Sequence, residues 1–317
     1  AWSKLSYGEV ISTAAQLGLS RGPELQTTMA SVPVWTVWCF CAFWYVTYMS
    51  GEVKRPEKSI VAGSLFPLVF LVIWFIPAWY FVYNLIGVQF LESLTFLSYI
   101  AESYPLAPAL QPTIQFFAAM LNMPPILIHM YSLMFVINSY VFVPVYLAYV
   151  VRCVFAWSFD RIVPEKFAEL SERFHTPAFT TGVLGIIGAI GVGLWASGWI
   201  VTWLNNALIL AIVWMLAGLA AALFPYRRKE LYQASPAKHS IGPIPLVSIA
   251  GAVTFLIWLY MAGVIVSNPL YGPIGAAPFA MVVGLFVAGF VIYYAARWYR
   301  RKQGVDLDLI FREIPPE

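Results

Sequence analysis

The sequence predicts an all-α polytopic membrane protein with about seven transmembrane helices. Of its 317 residues, 61% are hydrophobic and only 10% are charged, whereas a soluble domain carries roughly 25% charged residues. The charged residues lie between apolar stretches, most of which reach the length of about 20 residues that a helix needs to cross a bilayer. We therefore expect lipid to surround most of the folded chain.

Seven apolar stretches are the predicted spans. They cover residues 33–50, 60–84, 125–154, 179–199, 203–224, 244–266 and 277–296. Together they predict a transmembrane bundle over 33–304, with a connecting segment at 1–32 before it and a tail at 305–317 after it. Within the first segment, an ordinary loop is favoured over a short surface helix at 7–19. Pro67 and Pro77 lie inside the second span, where neighbouring helices can satisfy the freed backbone groups.

The connection between the second and third spans, residues 85–124, contains no Lys or Arg. Two pieces of it, 91–102 and 113–121, are predicted to be helical. Apolar and aromatic residues dominate both pieces, so we expect them to pack against the bundle.

The basic residues predict the topology. Of the 18 Lys and Arg residues, 16 lie at the ends of spans one, three, five and seven or in the loops after them, and the intervening loops hold none. Basic residues accumulate on the cytoplasmic side. These loops and the C-terminal tail are therefore predicted to be cytoplasmic, and segment 1–32 extracellular.

Several function classes lack support in the sequence. No Asp, Glu, Lys or Arg lies in the middle of a span, and no common hydrolase or nucleotide-binding motif is present, so an enzyme is not expected. The net charge of +3 gives no sign of nucleic acid binding. Cys39, Cys41 and Cys153 are not spaced as a metal site. We expect neither a metal nor a cofactor, and leave H⁺ or Na⁺ open as a coupling ion.

The first motif follows the aromatic first span and reads GEVKRPEKSI over residues 51–60. Its key residues are Gly51, Glu52, Lys54 and Pro56. Pro56 restricts the backbone of Arg55 and is expected to end the helix. An isolated carboxylate at a membrane boundary is costly, so Glu52 is expected to pair locally with Lys54, Arg55 or Lys58.

The second motif follows the third span and begins RCVFAWSFDRIVPEKF at residue 152. Its matching residues are Arg152, Phe155, Ala156, Asp160, Arg161, Pro164, His175 and Pro177. With the first motif, this loop resembles the loops after helices six and eight of the amino acid–polyamine–organocation (APC) superfamily. Many members of that family have Arg-Asp-Gly where this chain has Phe159-Asp160-Arg161.

This resemblance implies both a fold and a function. The chain is similar to helices 6–12 of the five-plus-five inverted-repeat (LeuT-type) fold, in which the substrate lies between broken helices. The implied function is secondary transport of an amino acid or related amine across the plasma membrane, with a first repeat supplied upstream or by a separate chain. The alternative is a membrane-embedded structural or assembly subunit that kept the fold and lost transport.

The resemblance also implies a substrate site at a break in the first span. The expected site residues are Trp38, Cys39, Phe40, Cys41, Ala42 and Phe43, with Tyr146 as a candidate for the opposite wall. The family often has an acid after the bend, whereas this chain has Trp44, which favours a neutral, apolar or aromatic substrate. Asn138 and Ser139, deep in the third span, are a possible polar or ion site.

Overall fold

The chain folds as helices in all its long elements, as the sequence predicts. The computed structural model describes residues 6–19, 25–33, 41–100, 113, 116–118, 121–173, 175–199, 203–236, 238–268 and 271–309. Six helices of this described part are long and apolar enough to cross a membrane. The fold class is therefore that of an all-α polytopic membrane protein.

The described elements follow one another along the chain with one short hairpin near the end. They are α1 (Tyr7–Gln16), α2 (Leu25–Pro33), a 3₁₀ helix called here the 3₁₀ segment (Cys41–Glu52), α3 (Pro56–Ile86), α4 (Val88–Ile100), α5 (Pro125–Phe159), a 3₁₀ turn (Glu165–Ala168), α6 (Ala178–Ala196), α7 (Asn206–Arg227), α8 (Lys229–Ala234), β1 (Ser240–Ile241), β2 (Ile244–Pro245), α9 (Leu246–Ser267) and α10 (Ala276–Lys302). The two strands are antiparallel, with Ser240 opposite Pro245. The six helices that can span a membrane are α3, α5, α6, α7, α9 and α10.

Helix α3 shows most clearly that the outer surface is apolar. None of its 31 residues is buried, and Phe66, Ile73 and Trp74 are 72%, 67% and 68% exposed. A helix that is apolar on all sides and exposed needs lipid around it. Pro67 and Pro77 both lie inside this continuous helix, as expected for a span.

The chain divides into two compact units, of which the first comprises Ala1–Leu25 and Leu65–Tyr146. Its core joins Val10 and Ala14 of α1 to Phe90, Leu94 and Leu97 of α4. The preference for a loop at 7–19 is therefore wrong, because the pair at positions 10 and 14 gives α1 one apolar edge that α4 covers. Such a short edge is a weak signal until its partner helix is known.

The connection at 85–124 contributes to the same core. Helix α4 overlaps the first predicted helical piece, and Phe116 and Phe117 of the second piece are buried in the same cluster. These parts of the connection therefore pack against α1 and against each other in the first unit, and their packing against the transmembrane bundle stays a prediction. Residues 101–112 lie outside the described part of the chain.

The second unit comprises Gln26–Ser64 and Leu147–Glu317, and the close pair α7 and α9 forms its centre. A methyl group added at Gly251 of α9 would lie 2.6 Å from the carbonyl oxygen of Gly218 of α7, so the two backbones approach at glycines. Small residues allow such an approach between membrane helices. The buried cluster around this pair contains Ala207, Leu208, Ala211, Trp258, Met261, Ile265, Tyr271 and Val282.

Two polar side chains form hydrogen bonds near the ends of these helices. The Asn205 side chain caps α7 by accepting a hydrogen bond from the Leu208 amide at 2.9 Å, and it donates to the Pro273 carbonyl at 3.2 Å. The Tyr271 hydroxyl donates to the Ala30 carbonyl of α2. The connections at this end of the second unit are thus tied to its helices.

Candidate functional site

The candidate site includes the 3₁₀ segment, which is 12 residues long. Runs of 3₁₀ helix longer than three or four residues are uncommon, and those within helices often mark a hinge or strain. Thr47 donates its hydroxyl to the Trp44 carbonyl at 2.7 Å. Trp38, Cys39 and Phe40 lie outside the described residues, as do the side chains at 41–43, so the break near 39–43 stays a prediction.

One side of the 3₁₀ segment packs against α5 through tyrosines. The rings of Tyr45 and Tyr149 stack at 4.8 Å with an angle of 7° between their planes. Tyr48, one turn further along, lies 5.7 Å from the same Tyr149 ring. Stacked aromatic pairs contribute about 0.5–1.5 kcal/mol beyond the burial of their area. Tyr149 is therefore a shared contact for two successive turns of the segment.

The same side ends in an ion pair between the two motif loops. Arg152 donates from Nε to Glu52 Oε1 and from Nη2 to Glu52 Oε2, both at 2.8 Å. These residues are 100 positions apart. The expectation that Glu52 pairs with Lys54, Arg55 or Lys58 is wrong, because the planar guanidinium of Arg152 offers two parallel donors that match both carboxylate oxygens.

This arrangement also sets the electrostatics of Glu52. The hydrogen bonds from Arg152 lower the pKa of the Glu52 carboxyl below its ordinary value of 4.5. The side chains of Arg152 and Glu52 are 29% and 57% exposed, so water screens the pair. An exposed ion pair contributes at most about 1 kcal/mol, and the bidentate geometry favours the upper part of that range.

The opposite side of the 3₁₀ segment packs against α7. The Trp44 ring lies edge-on to Trp214 of α7, with 5.0 Å between the ring centroids. Trp214 in turn stacks on Trp258 of α9 at 6.2 Å, and Trp258 is buried. Trp44, which stands where the family often has an acid, is thus an anchor to the central helix pair of the second unit.

Pro56 is the first residue of α3, and its role differs from the expected one. The 3₁₀ segment already ends at Glu52, and Arg55 has a φ of 56° instead of the extended backbone favoured before proline. The Arg55 carbonyl accepts hydrogen bonds from the Lys58 and Ser59 amides, both at 3.0 Å. Proline is well suited to the first position of a helix, so Pro56 begins α3.

The remaining predicted site residues lie on α5 in the first unit. Tyr146 stacks on Phe142 of its own helix at 5.6 Å. Ser139 donates to the Phe135 carbonyl at 2.9 Å. Asn138 is exposed, and no described residue forms a hydrogen bond with its amide. Asn138 is therefore the polar group of this helix that most needs a partner within the membrane.

The comparison with known families decides the assignment. The family model described as "Amino acid permease" matches residues 9–310. The chain belongs to the amino acid permease family. No curated protein and no solved structure matches it.

Membership in this family confirms the resemblance to the APC superfamily that rests on the two motif loops. The permease is therefore a multi-pass membrane protein, and its family is one of transporters, not a class of enzymes. In the described part of the permease, no group of three or more His, Cys, Asp or Glu side chains is placed to hold a metal ion.

The second motif loop connects α5 of the permease to α10. Ser158 donates to the Pro164 carbonyl at 2.9 Å, which closes the turn. Arg300 of α10 donates to the Arg161 carbonyl at 2.9 Å and to the Val163 carbonyl at 3.5 Å. None of the described basic side chains pairs with Asp160, and burial raises the pKa of this carboxyl.

Arg161 has a backbone conformation that favours glycine. Its φ is 58°, and many family members have glycine at this position. A left-handed conformation costs an L-residue about 1–2 kcal/mol. Replacing Arg161 with glycine would remove this cost, but glycine loses more conformational entropy on folding, which offsets part of the gain.

We expect Arg161→Gly to raise the free energy of unfolding by up to about 1 kcal/mol. Thermal unfolding of the purified permease measures this change. Glu172→Gly is the control, because Glu172 lies in the same loop and is not among the residues with positive φ. An Arg161→Gly variant less stable than the Glu172→Gly variant would contradict the assignment of strain.

The sequence analysis did not identify Trp214 or the three tyrosines that join the 3₁₀ segment to α5, which are Tyr45, Tyr48 and Tyr149. Tyr45 and Tyr48 are three residues apart, as are Tyr149 and Arg152, and each spacing puts two side chains on one face of a helix. That signal identifies two faces able to contact a partner. It does not say that the two faces contact each other, which only the tertiary structure shows.

Proposed function

We propose that the chain forms the second half of a secondary transporter for a neutral amino acid with an apolar or aromatic side chain. The observation that supports a neutral substrate is that the carboxylate of the 3₁₀ segment already pairs with an arginine of the protein. Glu52 is the only carboxylate among residues 41–52, and both its oxygens accept hydrogen bonds from Arg152. Trp44 packs against Trp214 where an acid would otherwise meet a cationic side chain.

The proposed binding site lies just before this anchored part of the chain. Carbonyl groups around Phe40 and Cys41, freed where the helix breaks, would accept hydrogen bonds from the substrate ammonium. Trp38 and Phe43 would close over its side chain, and Ala42 would leave room at the bend. The anchoring of Tyr45, Tyr48 and Glu52 supports this proposal, because a substrate site needs a rigid neighbour.

We expect Trp38→Ala to lower substrate affinity by a factor on the order of 10, the effect of about 1.4 kcal/mol. Ala42→Val should block transport by crowding the bend. Trp79→Ala is the matched control, because Trp79 packs against Phe75 and Tyr83 on its own helix. Substrate binding to the complete transporter measures all three effects at matched expression. Equal losses of affinity from Trp38→Ala and Trp79→Ala would place the pocket elsewhere.

A first repeat of about five helices, encoded upstream or in a separate chain, is the proposed partner. The exposed amide of Asn138 supports this proposal. An unpaired amide facing lipid is unfavourable, whereas a helix of the first repeat or a polar substrate pathway would satisfy it. Asn138 and Ser139 are accordingly the proposed polar site for substrate or for a coupling ion, H⁺ or Na⁺.

The proposed location is the plasma membrane, with the C-terminus in the cytoplasm. The distribution of 16 of the 18 basic residues supports this orientation. A single cysteine at position 58 should resist an impermeant thiol reagent added to intact cells and react after permeabilisation. A cysteine in place of Ile274, which is exposed, should react from outside in either case. Labelling of position 58 in intact cells would reverse the topology.

A structural or assembly subunit without transport activity is the alternative function. The bidentate pair of Glu52 and Arg152 suits either function, because it joins two elements whether or not they move. Transport of a labelled amino acid by the complete protein separates the two.

A further inference from the structure

The end of α10 carries four basic residues, Arg297, Arg300, Arg301 and Lys302, and the fold uses two of them. Arg297 pairs with Asp308. Arg300 donates to the Arg161 and Val163 carbonyls of the second motif loop. These two cations therefore hold the end of the helix to the chain around it.

The other two cations take part in neither of these contacts. Arg301 and Lys302 are both exposed, and no carboxylate of the described residues forms an ion pair with either. Trp298 and Tyr294 precede them at helical spacing and are 63% and 57% exposed. Positions 294, 298, 301 and 302 share one face of a helix, called here the α10 stripe.

The geometry of the α10 stripe suits a membrane interface. The Lys302 ammonium lies 3.6 Å from the centre of the Trp298 ring, so the aromatic and cationic parts form one surface. Tryptophan and tyrosine concentrate at the level of lipid headgroups. The stripe thus changes from aromatic to cationic where α10, a helix long and apolar enough to span a membrane, reaches its end.

We propose that the α10 stripe binds the headgroup of an anionic phospholipid. The guanidinium of Arg301 would donate two parallel hydrogen bonds to the phosphate, and the Lys302 ammonium would add a second charge. The rings of Trp298 and Tyr294 would lie beside the glycerol and the upper acyl chains. Each basic residue near an anionic membrane surface adds to the electrostatic attraction between protein and lipid. The surrounding bilayer supplies the ligand at high local concentration.

Lipid binding to the purified chain, measured by native mass spectrometry, tests this proposal. The protein is titrated with phosphatidylglycerol or phosphatidylcholine that carry the same acyl chains. We expect the unmodified chain to bind phosphatidylglycerol in preference. The double variant Arg301→Gln with Lys302→Gln should lower that preference on the order of tenfold.

The matched control removes the same charge elsewhere. Lys58→Gln with Lys238→Gln neutralises two exposed cations and should leave the preference within about twofold of the unmodified chain. Thermal unfolding in detergent checks that the Arg301 and Lys302 variant stays folded, since neither side chain takes part in the contacts of Arg297 or Arg300. An unchanged preference in that variant, or an equal loss in the control, would overturn the proposal.

Discussion

Replacing Gly251 with alanine should lower the free energy of unfolding of the permease strongly. The added methyl carbon would lie 2.4 Å from the Ala222 amide nitrogen and 2.6 Å from the Gly218 carbonyl oxygen. Both are backbone atoms, so no side-chain rotation relieves the overlap and α7 and α9 must separate. Overpacking of a core costs about 1–3 kcal/mol, and we expect a loss at the upper end of that range.

Thermal unfolding of the detergent-solubilised protein measures this loss, with Gly263→Ala as the control. Gly263 lies on the same helix, and apart from the adjacent backbone of that helix no atom lies within 4 Å of the position that its methyl group would take. Alanine also favours helix formation over glycine by up to about 1 kcal/mol. Gly263→Ala should therefore unfold at an unchanged or higher temperature. Equal unfolding temperatures for the two variants would show that the helices do not approach at Gly251.

This change should also affect the candidate site. Trp258 of α9 stacks on Trp214 of α7, and Trp214 contacts Trp44 of the 3₁₀ segment. Separation of α7 from α9 would loosen that stack. The stability of the central helix pair and the position of the 3₁₀ segment are thus physically linked.

Removing the ion pair between Glu52 and Arg152 should reduce transport with little effect on substrate affinity. The pair lies at the end of the 3₁₀ segment away from the proposed binding residues 38–43 and joins that end to α5. Loss of up to about 1 kcal/mol shifts a two-state equilibrium about fivefold. We therefore expect Glu52→Gln or Arg152→Gln to lower the maximal uptake rate by up to about fivefold, as measured in proteoliposomes that contain the complete transporter.

Three variants distinguish this pair from a general charge effect. Arg152→Lys should not restore the rate, because an ammonium cannot make two parallel hydrogen bonds. The exchanged pair, Glu52→Arg with Arg152→Glu, should restore part of it. Glu57→Gln is the control, since Glu57 is an exposed carboxylate of the next helix without an ion pair to any described residue. A loss from Glu57→Gln equal to that from Glu52→Gln would refute the specific role of the pair.

The pH dependence of the same effect has a definite sign. Arg152 lowers the pKa of Glu52 in the folded protein below 4.5, so the pair contributes its full stabilisation above that pH. The contribution is lost as the pH falls through the lower folded-state pKa. The difference in the free energy of unfolding between the unmodified protein and Glu52→Gln should therefore be constant above pH 4.5. It should shrink towards zero as the pH falls below that value.

The all-α membrane fold class and the family could be predicted from the sequence because both depend on local properties. A helix such as α3 needs only enough consecutive apolar residues, and the loop motifs need only their order along the chain. Helix α1 was not predicted, because Val10 and Ala14 form a short apolar edge that matters only once Phe90, Leu94 and Leu97 cover it. Burial of that kind is a property of two elements together.

The partner of Glu52 could not be predicted for the same reason. Three cations lie within six residues of it along the chain, whereas Arg152 is 100 positions away. Likewise, Trp44 could be identified as a departure from the family's usual acid, but its contact with Trp214 depends on the place of α7. Local sequence supplies the chemical groups, and packing between distant elements selects the pairs.

Uptake by counterflow tests the proposed function most directly. Proteoliposomes that contain the chain together with the proposed first repeat are preloaded with one unlabelled amino acid and then given labelled amino acids of neutral, cationic or acidic type. We expect labelled neutral amino acids with apolar or aromatic side chains to accumulate, and expect no accumulation when residues 1–317 are reconstituted alone. Accumulation of cationic amino acids only, or of none by the complete protein, would contradict the proposed function.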